Sequence, residues 1–393
     1  MKNKTTSKKL GGNHIKIENR KLVFFHIFNM PGISRPQITK LTKLSAASVG
    51  RITDELLKEG LIKEYDCEAG NVGRRPTLLR VCGESVPALA VELDWDKQVC
   101  AAVDLTGKVY YRTERGYSVL TYSPREICGF VREMADEVIR GANAEGKRIS
   151  GLGVASPGLI DMDSGMVLHC SQFRWQNIPL GEMFRELFPD MTVTLDNEMN
   201  ACALAESLYG EIRHEQNAVI LGIGSGVGAG IIANGRVYRG DSNMAGEVGH
   251  IMMDPNGKMC VCGCYGCLQT FVAEWALKED AQRFKRDADI DDILKAADSG
   301  EQWAVSIIER FVRYVKTAIS YFTSLLNPGV VVLCGRLLED YPVLNEWLLQ
   351  ENSAQKWGTF NTPARLTVSG LGRDGAVIGA AAHLLHKVYK EYL

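Results

Sequence analysis

Between His250 and Cys267 the chain concentrates side chains that bind metals, and this segment restricts its local structure more than any other. One histidine is followed by four thiols: Cys260, Cys262, Cys264 and Cys267. Imidazole and thiolate groups at short spacing are typical of closed tetrahedral zinc sites, and glycines between the thiols let the loop fold back. The segment therefore predicts a structural zinc ion. Buried or reactive cysteines without a metal are the alternative.

Composition favours a cytoplasmic protein with several domains. The 393 residues, 46% of them hydrophobic, are enough for two or three domains with their own cores. Eleven cysteines, an odd number, indicate a reducing compartment rather than a disulfide framework. No signal peptide is visible, and we expect no membrane span, because the longest uncharged stretch, between Glu215 and Arg236, contains six glycines.

Charge is distributed unevenly along the chain. Residues 1–86 contain 16 Lys and Arg against 8 Asp and Glu, whereas residues 87–393 contain 29 against 39. A basic head on an acidic body is typical of a nucleic-acid-binding module joined to a sensor or an enzyme. A basic segment that only improves solubility is the alternative.

Residues 1–86 predict a winged helix-turn-helix domain, because helix, short helix, turn, helix and hairpin follow in that order. A first helix is expected from Asn19 to the turn at Pro31. Ser34 would cap a short second helix, and Ser45 a third helix that ends near Glu59. The expected inward positions of the three helices are Leu22, Phe25, Ile27, Phe28, Ile38, Leu41, Val49, Ile52, Leu56 and Leu57.

The third helix of this head would enter the major groove of DNA, and the hairpin would contact the backbone or the minor groove. Strands are predicted at Leu61–Tyr65 and Thr77–Val81, with a wing tip that reads Gly73-Arg74-Arg75-Pro76. The residues predicted to contact DNA are Ala46, Ala47, Ser48, Arg51, Arg74 and Arg75. A three-helix module that uses the same face for protein contacts is the alternative.

Residues 87–393 predict an α/β domain. Strands are expected at 88–92, 99–104, 109–112, 150–155, 193–195 and 330–334, with helices near 125–143, 201–209, 301–326 and 372–385. The polar segment 196–200 follows a strand and precedes a helix, a position at which α/β proteins place ligands. The glycine-rich segment 222–228 fits either a phosphate-binding loop or a tight turn between two strands.

These motifs resemble the ROK family of repressors, open reading frames and kinases, and the resemblance covers about residues 17–393. It rests on the winged helix with Ser34-Arg35 and the wing arginines, on Ser156-Pro157-Gly158, and on the segment 197–206. Its most specific signatures are Gly-Glu-x-Gly-His at 246–250 and Cys-x-Cys-Gly-x-x-Gly-Cys at 260–267.

The resemblance implies an actin-like sugar-kinase fold, related to ATPases, with lobes at about 87–200 and 201–380 and a sugar in the cleft between them. It implies one structural zinc ion per chain on His250, Cys260, Cys262 and Cys267, with Cys264 left out. Ser34, Arg35 and Ser45, at the starts of the second and third helices, are also predicted to contact DNA.

Three departures from the kinases of this family bear on catalysis. The hairpin segment 92–97 reads Glu-Leu-Asp-Trp-Asp-Lys and lacks the glycines and the threonine that hold ATP phosphates. Glu198 stands at the position of the catalytic aspartate, and a displacement of about 1 Å can cost roughly a hundredfold in rate. Gln269 replaces a glutamate. These departures predict a degenerate ATP site and no kinase activity.

The sugar half of the cleft keeps its polar groups, which are suitable donors and acceptors for hydroxyls. The predicted sugar-binding residues are Ser171, Asn197, Glu198, Glu247, His250 and Gln269. A neutral aldose such as xylose is the expected ligand. For Glu247 the alternative is a purely structural acid beside the metal site.

The preferred hypothesis is a cytoplasmic, sugar-responsive repressor of carbohydrate-utilisation genes. A homodimer or a dimer of dimers would bind a palindromic operator. One alternative is an active sugar kinase with an appended DNA-binding domain. Another is a body that senses a partner protein instead of a sugar.

Overall fold

The computed structural model describes residues 12–66, 77–82, 87–350 and 364–388. The head consists of helix α1 (Gly12–Asn29), strand β1 (Ile33–Ser34), helices α2 (Arg35–Thr42) and α3 (Ala46–Lys58), and strands β2 (Ile62–Asp66) and β3 (Thr77–Val81). Strands β2 and β3 form an antiparallel hairpin, and β1 pairs with β3. Apart from β1, which was not predicted, this is the predicted element order, and α1 begins at Gly12 instead of Asn19.

Two predictions about packing in the head are wrong. On α1 the buried residues are Val23, Phe24 and Ile27, whereas Leu22 and Phe25 are 38% and 58% exposed. Both faces of this helix carry apolar residues. The face that packs against the core contains Val23, Phe24 and Ile27, which are one, three and four residues apart. On α2, Ile38 fills the buried position and Leu41, predicted inward, is exposed near the end of this eight-residue helix.

The first lobe contains strands β4 (Ala88–Leu93), β5 (Gln98–Val103) and β6 (Val109–Arg115), helix α4 (Pro124–Ala144), strands β7 (Gly151–Ser156), β8 (Leu159–Asp161), β9 (Met166–Cys170) and β10 (Trp175–Ile178), helix α5 (Leu180–Leu187), strand β11 (Thr192–Asn197) and helix α6 (Glu198–Tyr209). Its main sheet has the order β11-β7-β4-β5-β6, and a small sheet has the order β10-β9-β8. Strands β4, β5 and β6 pair antiparallel, whereas β7 pairs parallel with β4 and β11.

The second lobe contains strands β12 (Ala218–Ile223), β13 (Val227–Ala233) and β14 (Arg236–Val237), helices α7 (Gln269–Val272), α8 (Glu274–Ala281), α9 (Ile290–Asp298) and α10 (Gln302–Leu326), strand β15 (Val330–Cys334), helices α11 (Arg336–Asp340) and α12 (Pro342–Gln350), and strand β16 (Arg365–Val368). Helix α13 (Gly375–Val388) follows. The sheet of this lobe has the order β14-β13-β12-β15-β16.

Both lobes are built on the same topology. Each sheet begins with an antiparallel three-strand meander, and the next two strands of that sheet add in parallel on the side of its first strand. Strands such as β15, which is buried throughout, read as continuous apolar runs because both faces of a parallel sheet are covered. The predicted two-lobed α/β fold is confirmed.

Helix α13 returns from the second lobe to pack against the first sheet and against α6. The approach is close because small residues meet there. A Cβ atom on Gly379 would lie 1.9 Å from the Ala201 carbonyl oxygen, and one on Gly153 would lie 2.2 Å from the Ala380 carbonyl oxygen. Residues of α13 and of the first sheet therefore share one core.

The head contacts the body where α1 and α6 both end. The ring of Phe28 meets that of Tyr209 edge to face, with centroids 6.0 Å apart. Buried residues of α1, including Val23 and Ile27, belong to the same hydrophobic cluster as Leu384 of α13. Within the described ranges, no helix combines the length and apolarity that crossing a membrane requires.

Candidate metal centre and binding cleft

Four side chains form a compact group of metal-binding donors. One donor atom from each of His250, Cys260, Cys262 and Cys267 lies within 4.8 Å of all the others. The Sγ atoms of Cys262 and Cys267 are 3.7 Å apart, and Cys260 Sγ is 3.7 Å from His250 Nδ1. A tetrahedral zinc ion with bonds of about 2.3 Å to sulfur has ligand–ligand edges of about 3.8 Å. The group could therefore hold a metal ion of this kind.

The loop that carries these donors folds back tightly on itself. Gly266 has a φ of +61°, and a Cβ atom there would lie 1.6 Å from the Asp254 carbonyl oxygen. Isolated β-bridges join Met252 to Cys267 and Met259 to Tyr265. Cys264 lies outside the four-residue group and is exposed, and its exclusion from the metal ligands stays a prediction.

Gln269 and His250 connect the thiol group to a neighbouring cavity. The buried Gln269 is the first residue of α7, and its Nε2 donates a hydrogen bond to Cys260 Sγ at 2.9 Å. Because His250 directs Nδ1 toward the thiols, its other ring nitrogen is the one that can serve a ligand. Both residues line the cavity beside the loop.

That cavity has a volume of about 360 Å³ and lies between the two lobes. All six predicted sugar-binding residues line it: Ser171, Asn197, Glu198, Glu247, His250 and Gln269. Its size falls in the range of small-molecule sites, and its walls combine carboxyl, amide, hydroxyl and imidazole groups. The structure brings the six residues together, and their role as sugar ligands stays a prediction.

Asn197 is already engaged in local structure. Its Oδ1 caps α6 by accepting from the backbone N–H groups of Met199 and Asn200, at 2.9 and 3.2 Å. Its Nδ2 donates to the Gly158 carbonyl oxygen at 3.0 Å. The side chain thus fixes the junction between β11, α6 and the loop after β7, and offers a ligand little free hydrogen-bonding capacity.

The two carboxyl groups of the cavity are both shifted toward the neutral form. Desolvation holds the pKa of Glu198 well above its usual value, and the negative charges of Asp94, Glu92 and Glu247 add to this shift. Desolvation also raises the pKa of Glu247, against an opposing effect of His169. The shift favours the protonated carboxyl at Glu198, which can donate a hydrogen bond as well as accept one.

Sequence reasoning missed His169. It lies in β9, one residue before the end of that strand, and lines the same cavity. Its Nε2 lies 2.9 Å from Ser171 Oγ. Burial lowers the pKa of His250, and the nearby His169 contributes to the shift. The only signal in the sequence was a lone histidine two residues before Ser171, which is weak because such residues are common at strand ends.

The other half of the cleft is narrow, with a volume of about 100 Å³. The turn of the β4–β5 hairpin enters it, and Arg336 of the second lobe binds Asp96 at 2.7 Å and lies 3.8 Å from Asp94. Ser225 Oγ donates to Asp94 Oδ1 at 3.4 Å. These contacts therefore join the two lobes across this half of the cleft. Sequence reasoning did not predict them.

Two further features of this half bear on phosphate binding. Desolvation raises the pKa of Glu92 to about 8, and the charge of Asp94 contributes. The segment 222–228 forms the turn between β12 and β13, with Gly224 N donating to Gly226 O at 2.9 Å. These glycines form a tight turn and also line this half of the cleft, and their binding of phosphate stays a prediction.

In the head, the predicted DNA-contacting residues have two different environments. Ser45, Ala46, Ala47 and Arg51 are exposed and Ser48 is half-buried, all at the N-terminal end of α3. Ser45 Oγ caps this helix by accepting from Ser48 N at 3.1 Å. These residues therefore lie on one solvent-accessible surface of the head.

Ser34 and Arg35 instead serve the internal structure of the head. Ser34 donates from both N and Oγ to Gln37 Oε1 at 2.8 Å. The Arg35 guanidinium forms ion pairs with Asp54 at 3.2 Å and Glu64 at 2.5 Å, so it ties α2 to α3 and to the hairpin. Arg74 and Arg75 lie outside the described residues.

Comparisons with known proteins match both parts of this chain. A family model described as the ROK family matches residues 88–387. The xylose repressor of Caldicellulosiruptor bescii is 30% identical over 338 residues, which cover 82% of this chain and 84% of that protein. A crystal structure of a ROK family transcriptional regulator, a homologue of the E. coli MLC protein, has a TM-score of 0.75 and 26% identity over 96% of this chain and 98% of that chain.

A ROK hexokinase from Thermus thermophilus is similar over a shorter part. Its crystal structure has a TM-score of 0.65 and 26% identity, and the match covers 77% of this chain and 99% of that chain. The family model alone spans well over half of the sequence, including the glycine–histidine signature and the thiol cluster. The chain belongs to the ROK family.

Proposed function

We propose that the chain is a sugar-responsive transcriptional repressor of carbohydrate-utilisation genes that acts in the cytoplasm. One observation carries this proposal: the match to the transcriptional regulator includes the head, whereas the hexokinase match covers a share of the chain about the size of the body alone. The similarity to a xylose repressor supports the same function.

In this proposal residues 1–86 form the DNA-binding domain, and residues 87–393 bind the effector and form the oligomer. A homodimer or a dimer of dimers would present two heads to a palindromic operator. The exposed N-terminal end of α3 would enter the major groove, with Arg51 reaching a base edge or a phosphate. Arg74 and Arg75 would contact the backbone or the minor groove.

The proposed effector is a monosaccharide such as xylose, bound in the 360 Å³ cavity. Glu247, His250 and Gln269 come from the second lobe and Ser171 and Glu198 from the first, so one ligand would contact both lobes. The proposed metal is one structural Zn²⁺ per chain on His250, Cys260, Cys262 and Cys267, which would hold the loop and the orientation of the His250 ring.

Helix α6 offers a direct connection from this cavity to the head. It begins at Glu198, which lines the cavity, and ends at Tyr209, whose ring meets Phe28 of α1. A helix of twelve residues is about 18 Å long and moves as a rigid element. For a sugar to change DNA binding it must bind two arrangements of the lobes with different affinity; a hundredfold ratio corresponds to about 2.7 kcal/mol.

We further propose that the chain does not transfer phosphate. The hairpin at Asp94–Asp96 and its ion pairs with Arg336 fill the half of the cleft that a nucleotide would need. Acidic side chains at that position repel phosphate groups. Glu198 stands where the kinases of this family have their catalytic aspartate, and its extra methylene would displace the carboxyl by about 1 Å, which can cost roughly a hundredfold in rate.

The test begins with a thermal-shift screen of monosaccharides and a selection of operator duplexes from random DNA. Fluorescence anisotropy then follows the protein–operator complex during titration with each stabilising sugar. We expect sequence-specific binding that one neutral aldose weakens or strengthens at least tenfold. Failure to select any sequence, or an operator complex that no sugar changes, would contradict the proposal.

Variants of the head sharpen this test. Arg51→Ala should weaken operator binding more than binding to random DNA, by about 1–3 kcal/mol for a base contact. Arg74→Ala and Arg75→Ala should weaken both alike and reduce the salt dependence. Arg286→Ala, at a side chain 95% exposed in the second lobe, is the matched control and should change neither.

A further inference from the structure

A second cavity, of about 330 Å³, lies where the head meets the body and is separate from the interlobe cleft. The head contributes the end of α1 and the β2–β3 hairpin, and the body contributes the β5–β6 turn and the end of α6. Part of its wall is apolar or aromatic, with Phe28, Tyr110 and Tyr209. The volume is that of a site for a small molecule.

The charge of this cavity is strongly positive. Four cationic side chains line it: Lys63 and Arg80 from the hairpin, Lys108 from the β5–β6 turn, and Arg213 beyond α6. In the part of the chain that the structure describes, none of the four lies within 4.0 Å of a carboxylate oxygen. Arg80 instead stacks on the Tyr65 ring, and Lys108 lies over the Tyr110 ring.

Asp104 is the acidic residue among the described lining residues, and its oxygens are committed elsewhere. Oδ1 accepts hydrogen bonds from Thr106 N at 2.7 Å, Thr106 Oγ1 at 2.6 Å and Lys108 N at 3.1 Å. Oδ2 accepts from the Tyr110 hydroxyl at 3.1 Å. This carboxylate fixes the β5–β6 turn and its charge offsets only one of the four cations, so the described lining keeps an excess of positive charge that favours an anion.

We propose that the head–body cavity binds a small phosphorylated metabolite. A phosphomonoester dianion would lie among the four cations, and its carbon part would rest against the aromatic wall. The DNA backbone is the other source of phosphate, but these cations line a recess between head and body, whereas the exposed face of α3 offers the surface for DNA.

Such a ligand would act on the same helix as the sugar. Tyr209 ends α6 and Arg213 follows it, while Glu198 begins α6 in the sugar cavity. A dianion that joins Lys63 and Arg80 of the head to Lys108 and Arg213 of the body would restrain the head relative to the body. By linkage, any ligand that fixes this orientation changes affinity for DNA, and DNA changes affinity for the ligand by the same factor. This last step rests on the proposed function; the binding itself does not.

The experiment measures binding to the full-length protein by isothermal titration calorimetry, without DNA and at constant ionic strength. The probes are ribose 5-phosphate, its neutral counterpart ribose, and inorganic phosphate. We expect ribose 5-phosphate to bind more tightly than inorganic phosphate, and ribose not to bind at this cavity. Arg213→Ala and Lys108→Ala should each weaken the phosphate ester at least tenfold, while Arg213→Lys should stay within threefold of wild type.

Two controls separate this cavity from other surfaces. Arg286→Ala removes an exposed cation of the second lobe and should leave ester affinity unchanged. Glu247→Ala alters the sugar cavity and should also leave it unchanged. The proposal is overturned if no ester binds, if inorganic phosphate binds as well as the ester, or if Glu247→Ala removes ester binding. It is equally overturned if Arg213→Ala and Lys108→Ala leave the affinity for ribose 5-phosphate unchanged.

Discussion

The two halves of the interlobe cleft differ in how they use charged side chains. In the half beside the thiol cluster, polar groups surround an open volume of about 360 Å³. In the half beside the β4–β5 hairpin, Arg336 and Asp96 pair with each other across a space of about 100 Å³. A phosphotransferase needs both halves open at once, whereas a sensor needs one. Under the proposed function, the open half would bind the sugar, and the ion pair of Arg336 with Asp96 would link the lobes in the half where the kinases of this family hold ATP.

The largest effect is expected at the metal group of the open half. Cys262→Ser should reduce zinc from one per chain to near zero and destabilise the body by about 5 kcal/mol or more, because metal binding energy is folding energy. Cys264→Ser is the matched control and should keep both metal and stability. Elemental analysis and thermal unfolding measure the two quantities. A metal-free wild-type protein that is well folded would remove the basis for this assignment.

The next effect is expected on the pH dependence of folding stability. It involves Glu92 in the narrow half of the cleft beside the β4–β5 hairpin, which we call the closed half. Because the pKa of Glu92 is raised to about 8 in the folded state, the folded protein binds a proton there that the unfolded chain releases above about pH 4.5. Its contribution to stability is therefore complete below pH 4.5 and is lost as pH rises through 8, by several kcal/mol at about 1.4 kcal/mol per pKa unit. Glu92→Gln should remove this part of the slope.

Urea unfolding at pH 5.5, 7 and 8.5 measures the effect as the difference between Glu92→Gln and wild type. The variant should gain stability relative to wild type as the pH rises. Asp163→Asn, at an exposed carboxyl of the first lobe, is the control and should show no such trend. If the difference in stability between Glu92→Gln and wild type does not grow with pH, the pKa of Glu92 is not raised in the folded protein. Water would then reach this half of the cleft.

A smaller effect is expected on sugar affinity. Glu247→Ala should lower it at least tenfold, since a charge-assisted hydrogen bond is worth about 1.5–3 kcal/mol. Operator binding without sugar should stay near wild type. Glu339→Ala removes a carboxyl that accepts from Gly335 N in the closed half and should change the sugar midpoint by no more than about twofold. Anisotropy titration gives both midpoints, and an unchanged midpoint for Glu247→Ala would place the sugar elsewhere.

The smallest effect is expected in an assay of sugar phosphorylation, in which we predict no turnover. Wild type with ATP and any sugar that binds should show no phosphorylation above roughly 1 s⁻¹, the low end of typical enzyme rates. Arg336→Ala should not create it, because Asp94 and Asp96 would remain in the hairpin that, by the resemblance to the family's kinases, would hold the ATP phosphates. A coupled assay for ADP release makes the measurement. Sugar phosphate formed at a typical kinase rate would mean that both halves of the cleft accept a substrate, and would contradict the comparison.

The sequence predicted best what is local. The donors at 260, 262 and 267 meet because eight residues of one loop contain them, and His250 follows from the family signature. The ion pair between Arg336 and Asp96 could not be predicted because 240 residues separate the two partners. In the sequence, each of them looks like an ordinary charged residue of the surface. On the first helix Ile27 was placed inward correctly, but Leu22 and Phe25 were not, because Phe24 and Phe25 are equally apolar and only packing against the rest of the head and the body selects between them.

The return of α13 to the first lobe ties the order of synthesis to the order of folding. One face of the first sheet presents small residues such as Ala90, Ala101 and Ala155, and the cover for that face is made some 220 residues after β7. At roughly 5–20 residues per second on the ribosome, the nascent lobe waits tens of seconds or less for its last helix. A chain that stopped before Gly375 would leave this face bare, so premature termination would yield material for chaperones and proteases and not a shorter repressor.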